Sequence, residues 1–168
     1  MRLSDEEKIS AVKAKLEELC IEYRYYTHPP LPTIEIAKEY WRDVPGTHCK
    51  NLFFRNHKGD KHYVVILESS TELNIHDLEK RLRQGKLSFA SAERMERWLG
   101  VQPGSVSPFG LINDPGRHVK LFLDQKLREA HSLAFHPNVN TATVVVSYDD
   151  FIKFLESCGN EYEFTELV

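Results

Sequence analysis

The chain is poor in cysteine, in long apolar runs and in basic surplus, and each shortage removes a class of protein. Its three cysteines, Cys20, Cys49 and Cys158, are odd in number, widely spaced and form no CxxC pair. That pattern suits neither a disulfide framework nor a structural zinc site, and a reducing cytoplasm is the expected compartment. The longest apolar stretches, around residues 63–67 and 144–146, are far below the ~20 residues of a membrane span, so no membrane partner is expected. The first seven residues carry Asp5, Glu6 and Glu7 where a signal peptide needs an apolar core. With 22 basic against 25 acidic side chains the formal charge is −3, unsuited to coating DNA or RNA nonspecifically. Recognition of one RNA end through a local patch stays open.

Catalytic signatures are also scarce. There is no HExxH, no i,i+4 histidine pair on an expected helix, and no Cys/His quartet among the 8 histidines, so no metal is expected. His57 and His62 read as polar residues flanking a hairpin turn. The run from Gly104 through Ser105, Val106 and Ser107 to Pro108 is not GxSxG, and Gly104, Gly110 and Gly116 make no phosphate-binding fingerprint, so no cofactor is expected either. His48 and Cys49 are neighbours on an expected strand and so point to opposite faces.

What is present reads as an ordinary globular domain: 168 residues, 41% hydrophobic and 28% charged. Such a chain buries about 70% of its unfolded surface and needs no metal or disulfide staple. Ser4 with Glu7 predicts a capping box before Ile9, Val12, Leu16 and Leu19. Residues 21–27 read as a strand, and the three prolines at 29, 30 and 32 as an extended loop. Thr33 then caps a second helix with Ile34, Ala37 and Trp41 on one face. Residues 50–55 and 62–67 read as a hairpin. Asn74 opens a third helix stopped by Gly85, and Ser91 a fourth stopped by Gly100. Residues 101–116, rich in proline and glycine, are too long for a casual connector and form a candidate functional loop. Residues 119–124 and 141–146 read as strands, the second central and buried, and Ser147 caps a last helix stopped by Gly159. The expectation is one α+β domain over residues 1–168, with helices packed on a mixed, mostly antiparallel sheet.

Three segments hold candidate chemistry: GTHCKNLFF from Gly46, with Lys50 at a strand start; GSVSPFG from Gly104; and FHPNVNT from Phe135, with His136 before a buried strand. Each has a plain alternative, respectively a solvated edge lysine, a structural turn and a hydrogen-bonded loop histidine. In the order HPPLPT, GTHCKNLFFRN, GSVSPFGL, FHPNVNTATVVV, the chain resembles the freestanding prolyl-tRNA editing proteins. These belong to the superfamily of the YbaK-like deacylases and of the editing domain inserted in bacterial prolyl-tRNA synthetase. The Lys-Asn pair, the HPP opening and the NTAT strand are most similar to the branch that removes alanine from tRNA(Pro).

The resemblance implies an α+β fold with a mostly antiparallel sheet, and hydrolysis of a mischarged aminoacyl ester with help from the substrate's own 2′-hydroxyl. It gives Lys50 the family's essential lysine, Gly104 and Pro108 the GxxxP loop with Ser105 inside it, and His136 the pocket histidine. Asn51 joins Lys50 at the substrate end, while Thr33 and Asn140 fall at the pocket rim. For acceptor-stem phosphates the best basic run is Arg81, Arg83 and Lys86, with Arg94 and Arg97 on the next helix; a solvated, charge-balanced helix face is the plain alternative. The implied partners are the acceptor end of mischarged tRNA(Pro) and prolyl-tRNA synthetase. Release of cysteine, serine or threonine is the second reading. A non-catalytic module that binds aminoacyl-tRNA or the synthetase is the third.

Overall fold

The computed structural model describes residues 2–30 and 34–168. The capping residues expected from sequence open its helices. The Glu7 N–H donates to Ser4 Oγ at 3.2 Å and the Ser4 N–H to Glu7 Oε1 at 3.1 Å, closing the capping box of α1 (Asp5–Glu18). Helix α2 covers Ile34–Trp41; its expected cap, Thr33, lies outside the described residues. Asn74, Ser91 and Ser147 cap α3 (Ile75–Leu82), α4 (Ala92–Leu99) and α5 (Tyr148–Cys158) through their side-chain oxygens. Gly100 and Gly159 end α4 and α5 in the left-handed region, as expected.

Three boundaries differ from expectation by two residues or more. The first hairpin strand covers Thr47–Asn56 and not 50–55, because Thr47 and His48 pair with Leu133 and Ala134, so Lys50 lies inside the strand and not at its start. Helix α3 stops at Arg83, which itself takes the left-handed cap (φ +56) and donates its N–H to Glu79 O at 3.1 Å, leaving Gly85 in the turn beyond. The first strand begins at Arg24 and not at residue 21. Ile21 belongs to the end of α1, where Cys20 is left-handed (φ +58) and the Ile21 N–H reaches back to Leu16 O at 2.9 Å.

The strands are β1 (Arg24–Thr27), β2 (Thr47–Asn56), β3 (His62–Glu68), β4 (Leu87–Phe89), β5 (Lys120–Asp124), β6 (Ser132–Phe135), β7 (Ala142–Ser147) and β8 (Tyr162–Thr165). They form one mixed sheet in the order β1–β7–β6–β2–β3–β5–β8, with β4 also on β2. The β1/β7, β2/β3, β2/β4 and β6/β7 pairs are antiparallel; β2/β6, β3/β5 and β5/β8 are parallel. Alternation sorts the side chains. Phe53, Val64 and Ile66 face the main core with α1, α4 and α5, whereas Phe54, Val65 and Leu67 face a second core under α3. Strand β3 is buried on both faces, which explains its continuous apolar run.

Strand β2 divides its outer edge between two partners. Its start, Thr47 and His48, pairs with β6, and its end, residues 54–56, pairs with β4. Among the described residues, no strand pairs with residues 49–53 on that side. Bonds from the Ser69 N–H to His48 O and from the Asn56 N–H to Lys61 O fix the phase, so even-numbered residues bond to β3. The backbone groups of Cys49, Asn51 and Phe53 therefore turn toward the opening, where the Phe53 carbonyl is taken by the Ala90 N–H at 2.9 Å.

His62, which the sequence suggests is a polar hairpin residue, is buried to 1% exposure. Arg94 Nη1 donates to its Nε2 at 2.8 Å, so its Nδ1–H donates to His118 Nε2, also at 2.8 Å. His118 lies flat on Trp98, with centroids 3.7 Å apart. Burial, then His118, Arg94, Arg97 and Arg55, press the His62 pKa down to about 4. Below pH 6.5 the unfolded chain takes a proton that the folded one refuses, so stability falls with pH down to about 4 and levels off below. One such histidine accounts for about 3 kcal/mol across that window. Urea unfolding should show that loss between pH 6.5 and 4, and His62→Gln should flatten the slope. An unchanged slope would contradict the buried neutral histidine.

Candidate active site

The opening beside residues 49–53 is the mouth of a cleft of about 370 Å³. Lys50, Asn51, Gly104 and His136, from three separate motifs, all line it, together with Trp41, Ser69, Phe89 and Met95. The other site candidates are placed differently. Ser105 and Pro108 are buried in the loop behind Gly104, and Pro108 opens a 3₁₀ turn over Pro108–Asn113. Asn140 Nδ2 lies 3.8 Å from where a Cβ on Gly104 would stand, and Thr33 is outside the described residues.

The loops from Gly104 and from His136 are fastened together. Asn138, left-handed at φ +63, donates through Nδ2 to Phe109 O at 3.3 Å. Gly110 packs so closely on α4 that a Cβ there would come within 2.9 Å of Leu99 Cβ. Gly104 is under a different constraint. Its φ is +87, yet an added Cβ would meet only Asn140 Nδ2 at 3.8 Å. The glycine at this position is demanded by backbone conformation, and its open side is left to whatever enters the cleft.

Polar groups in the cleft have defined states. The His136 Nδ1–H donates to Ala142 O at 2.9 Å, which leaves the Nε2 lone pair unprotonated. Burial lowers the pKa of His136, His28 adds to the effect, and the bond to Ala142 opposes it. His48 is lowered chiefly by burial as well and stacks on Trp41, centroids 4.3 Å apart. His28 bonds to Thr143 Oγ1 at 2.9 Å, and its ring centre is 6.1 Å from that of His136. Burial pushes the Cys49 thiol strongly up, aided by Glu68, so it is no nucleophile at neutral pH. Asn51 Oδ1 is buried without a hydrogen-bond partner among the described residues, while its Nδ2 makes one long bond to Cys49 O at 3.5 Å. Among the described residues no carboxylate pairs with Lys50 and no cluster suits a metal ion.

The basic candidates are unequal. Arg81 is committed to Asp77 at 2.8 Å and to Glu166 O at 3.0 Å. Arg94 is held by Gly59 O and His62, and Arg97 lies over the Trp98 ring. Arg83 and Lys86 are exposed near β4.

With this geometry in place, comparison with known proteins is decisive. A family model described as an aminoacyl-tRNA editing domain matches residues 28–154. The chain belongs to that family. It is 39% identical over 157 residues to the prolyl-tRNA editing protein ProX of Acetoanaerobium sticklandii, covering 94% of this chain and 96% of that one. The prolyl-tRNA synthetase associated domain-containing protein 1 of Bos taurus is 31% identical, with 90% and 91% coverage. A crystal structure of a candidate trans-editing enzyme for prolyl-tRNA synthetase superposes with a TM-score of 0.72 over 98% of both chains, at 20% identity. The α+β fold expected from sequence is thus that of the editing domains. No helix among the described residues is long and apolar enough to cross a membrane.

Sequence reasoning missed Trp41, Ser69, Phe89 and Met95 at this cleft, and none of them carries a local signal. His28, in the HPP opening, stands behind His136 and not in the lining. For Gly104, Gly104→Ala should cost about 1–2 kcal/mol of stability although nothing obstructs the methyl group. Gly104→Asn, which tolerates the left-handed region, should recover most of it. Urea titration of the three proteins decides, and an asparagine variant weaker than the alanine one would show that space governs this position.

Proposed function

We propose that this editing domain, acting as one unit over residues 1–168, hydrolyses the ester of tRNA(Pro) mischarged with alanine. The supporting observation is that Lys50, Asn51, Gly104 and His136 gather around one cleft beside the one-sided stretch of β2, with one acceptor, Asn51 Oδ1, that no described residue satisfies. Alanine is smaller than proline, and a synthetase pocket rejects a smaller molecule by only ~1–3 kcal/mol, so a second site must clear the error.

The chemistry needs little machinery, because an aminoacyl ester is already activated. Water adds to the ester carbonyl carbon, the C–O bond to the ribose breaks, and the water's proton passes to the departing oxygen. The products are free alanine and an uncharged tRNA. Lys50 supplies a point charge for the phosphate or ester end of the terminal nucleotide. Asn51 Oδ1 accepts a hydrogen bond from the substrate's α-ammonium. A buried acceptor without a donor costs about 1–3 kcal/mol, and binding recovers that cost. The backbone beside Gly104 approaches the carbonyl, where N–H donors stabilise the oxyanion. Neutral His136 offers Nε2 to the attacking water or to the neighbouring 2′-hydroxyl, which assists the water. Ser105 and Pro108 brace the loop behind Gly104, and Asn140 shapes the rim. Arg83 and Lys86 are the basic side chains left to meet acceptor-stem phosphates, with Arg81 turned inward. The enzyme works in the cytoplasm beside prolyl-tRNA synthetase.

Incubation with alanyl-, cysteinyl-, seryl-, threonyl- and prolyl-tRNA(Pro) should release alanine fastest and proline not at all; no release from any would end the enzyme reading. Loss of a charge-assisted contact costs ~1.5–3 kcal/mol, so Lys50→Ala should be slower by roughly ten- to a hundredfold. Lys50→Arg should recover activity in part. Equal rates for wild type and Lys50→Ala would contradict the anchoring role.

A further inference from the structure

Phe89 is 55% exposed, the most exposed large apolar side chain described, yet it is not on a loose loop. It ends β4 directly opposite Phe54 in the β2/β4 register. Its ring stacks on the fully buried Phe54 ring at 4.7 Å between centroids and 27° between planes. Strand β4 is pinned at both ends: the Leu87 N–H donates to Glu79 Oε2 at 2.6 Å, and the Ala90 N–H to Phe53 O at 2.9 Å. One face of the ring is thus held against the core while the edge of the strand opening leaves the rest to solvent.

The position of this ring on the sheet suggests its use. Lys50, Leu52 and Phe54 alternate along one face of β2, and Phe89 joins them beside Phe54. Lys50 and Phe54 are four residues apart, about 13 Å along the strand, with Leu52 as an apolar floor between them. Lys50, Leu52 and Phe89 all line the same cleft. Cation, apolar floor and exposed aromatic face, in that order, match phosphate or ester, ribose and base.

We propose that Phe89 is a stacking platform for the 3′-terminal nucleobase of the acylated RNA, so that the substrate is held at its base as well as at its acyl end. This rests on the deacylase reading above. Base–aromatic stacking contributes about 1–3 kcal/mol, roughly a 5- to 150-fold effect on binding.

The test compares wild type with Phe89→Ala, Phe89→Leu and Phe89→Trp on an alanylated acceptor-stem minihelix, and on the same RNA ending in an abasic ribose. Phe89→Leu still covers Phe54 but has no π face. Phe89→Ala and Phe89→Leu should both raise KM by at least fivefold with little change in kcat, and Phe89→Trp should match wild type. On the abasic RNA all four should agree. The Kd of the uncharged minihelix reads the platform without the reaction, so a wild type that binds RNA but releases no alanine would defeat the deacylase reading and leave stacking to be judged by Kd. Equal KM and Kd for wild type and Phe89→Leu would overturn the proposal, as would a loss of the same size on the abasic RNA.

Discussion

A β-strand must satisfy hydrogen-bonding groups on two edges, and β2 does so on one edge with two different strands separated by a gap. Strand β6 runs parallel to its start and β4 antiparallel to its end. The stretch between them has a fully paired inner edge on β3 and an outer edge with no described strand opposite. Rigidity and accessibility coincide there. The backbone of Lys50 and Asn51 is fixed by the most buried strand of the sheet, while the side chains border a cleft. A site built on a paired strand holds its geometry better than one carried by a loop.

The other walls of the cleft follow from that gap. Because β6 stops at Phe135, the chain turns through His136, Asn138 and Asn140 before returning as β7, and the turn falls level with the unpaired residues of β2. The Gly104 loop reaches the same point because Gly110 lets the 3₁₀ turn press against Leu99, and because Asn138 ties to Phe109 O. Neutral His136 results from the same packing: burial disfavours its charge and the Ala142 carbonyl fixes its tautomer. Among the described residues the cleft then combines a lysine without a carboxylate partner and one buried acceptor, Asn51 Oδ1, without a donor.

Much of the scaffold was legible because its signals are local. Ser4 with Glu7, Asn74, Ser91 and Ser147 sit where a helix must satisfy its first N–H groups, and each does so through bonds within three residues. The β2–β3 hairpin was legible from its apolar runs. Strands β4, β6 and β8 were not, being only three or four residues long, too short for a period of two to register. His62 was misread because its burial depends on His118 and Arg94, which are distant in sequence. Arg83 takes the left-handed cap in place of Gly85 although its Cβ disfavours that region, with its N–H bonded to Glu79 O, and no local residue type marks such a position. The editing-domain motifs pointed to Lys50, Gly104 and His136, but no motif marks Phe89 or Trp41, whose place at the cleft is set by strand register and helix packing alone.

The proposal that the β2 gap receives the aminoacyl end of the substrate stands or falls with a crystal structure in complex with a non-hydrolysable 3′-alanylamido adenosine. The α-ammonium should lie within hydrogen-bonding distance of Asn51 Oδ1, with the alanyl group between Gly104 and His136. An analogue bound elsewhere, such as the depression beside Glu22, Arg24 and Asp150, or bound with Asn51 Oδ1 still bare, would contradict it.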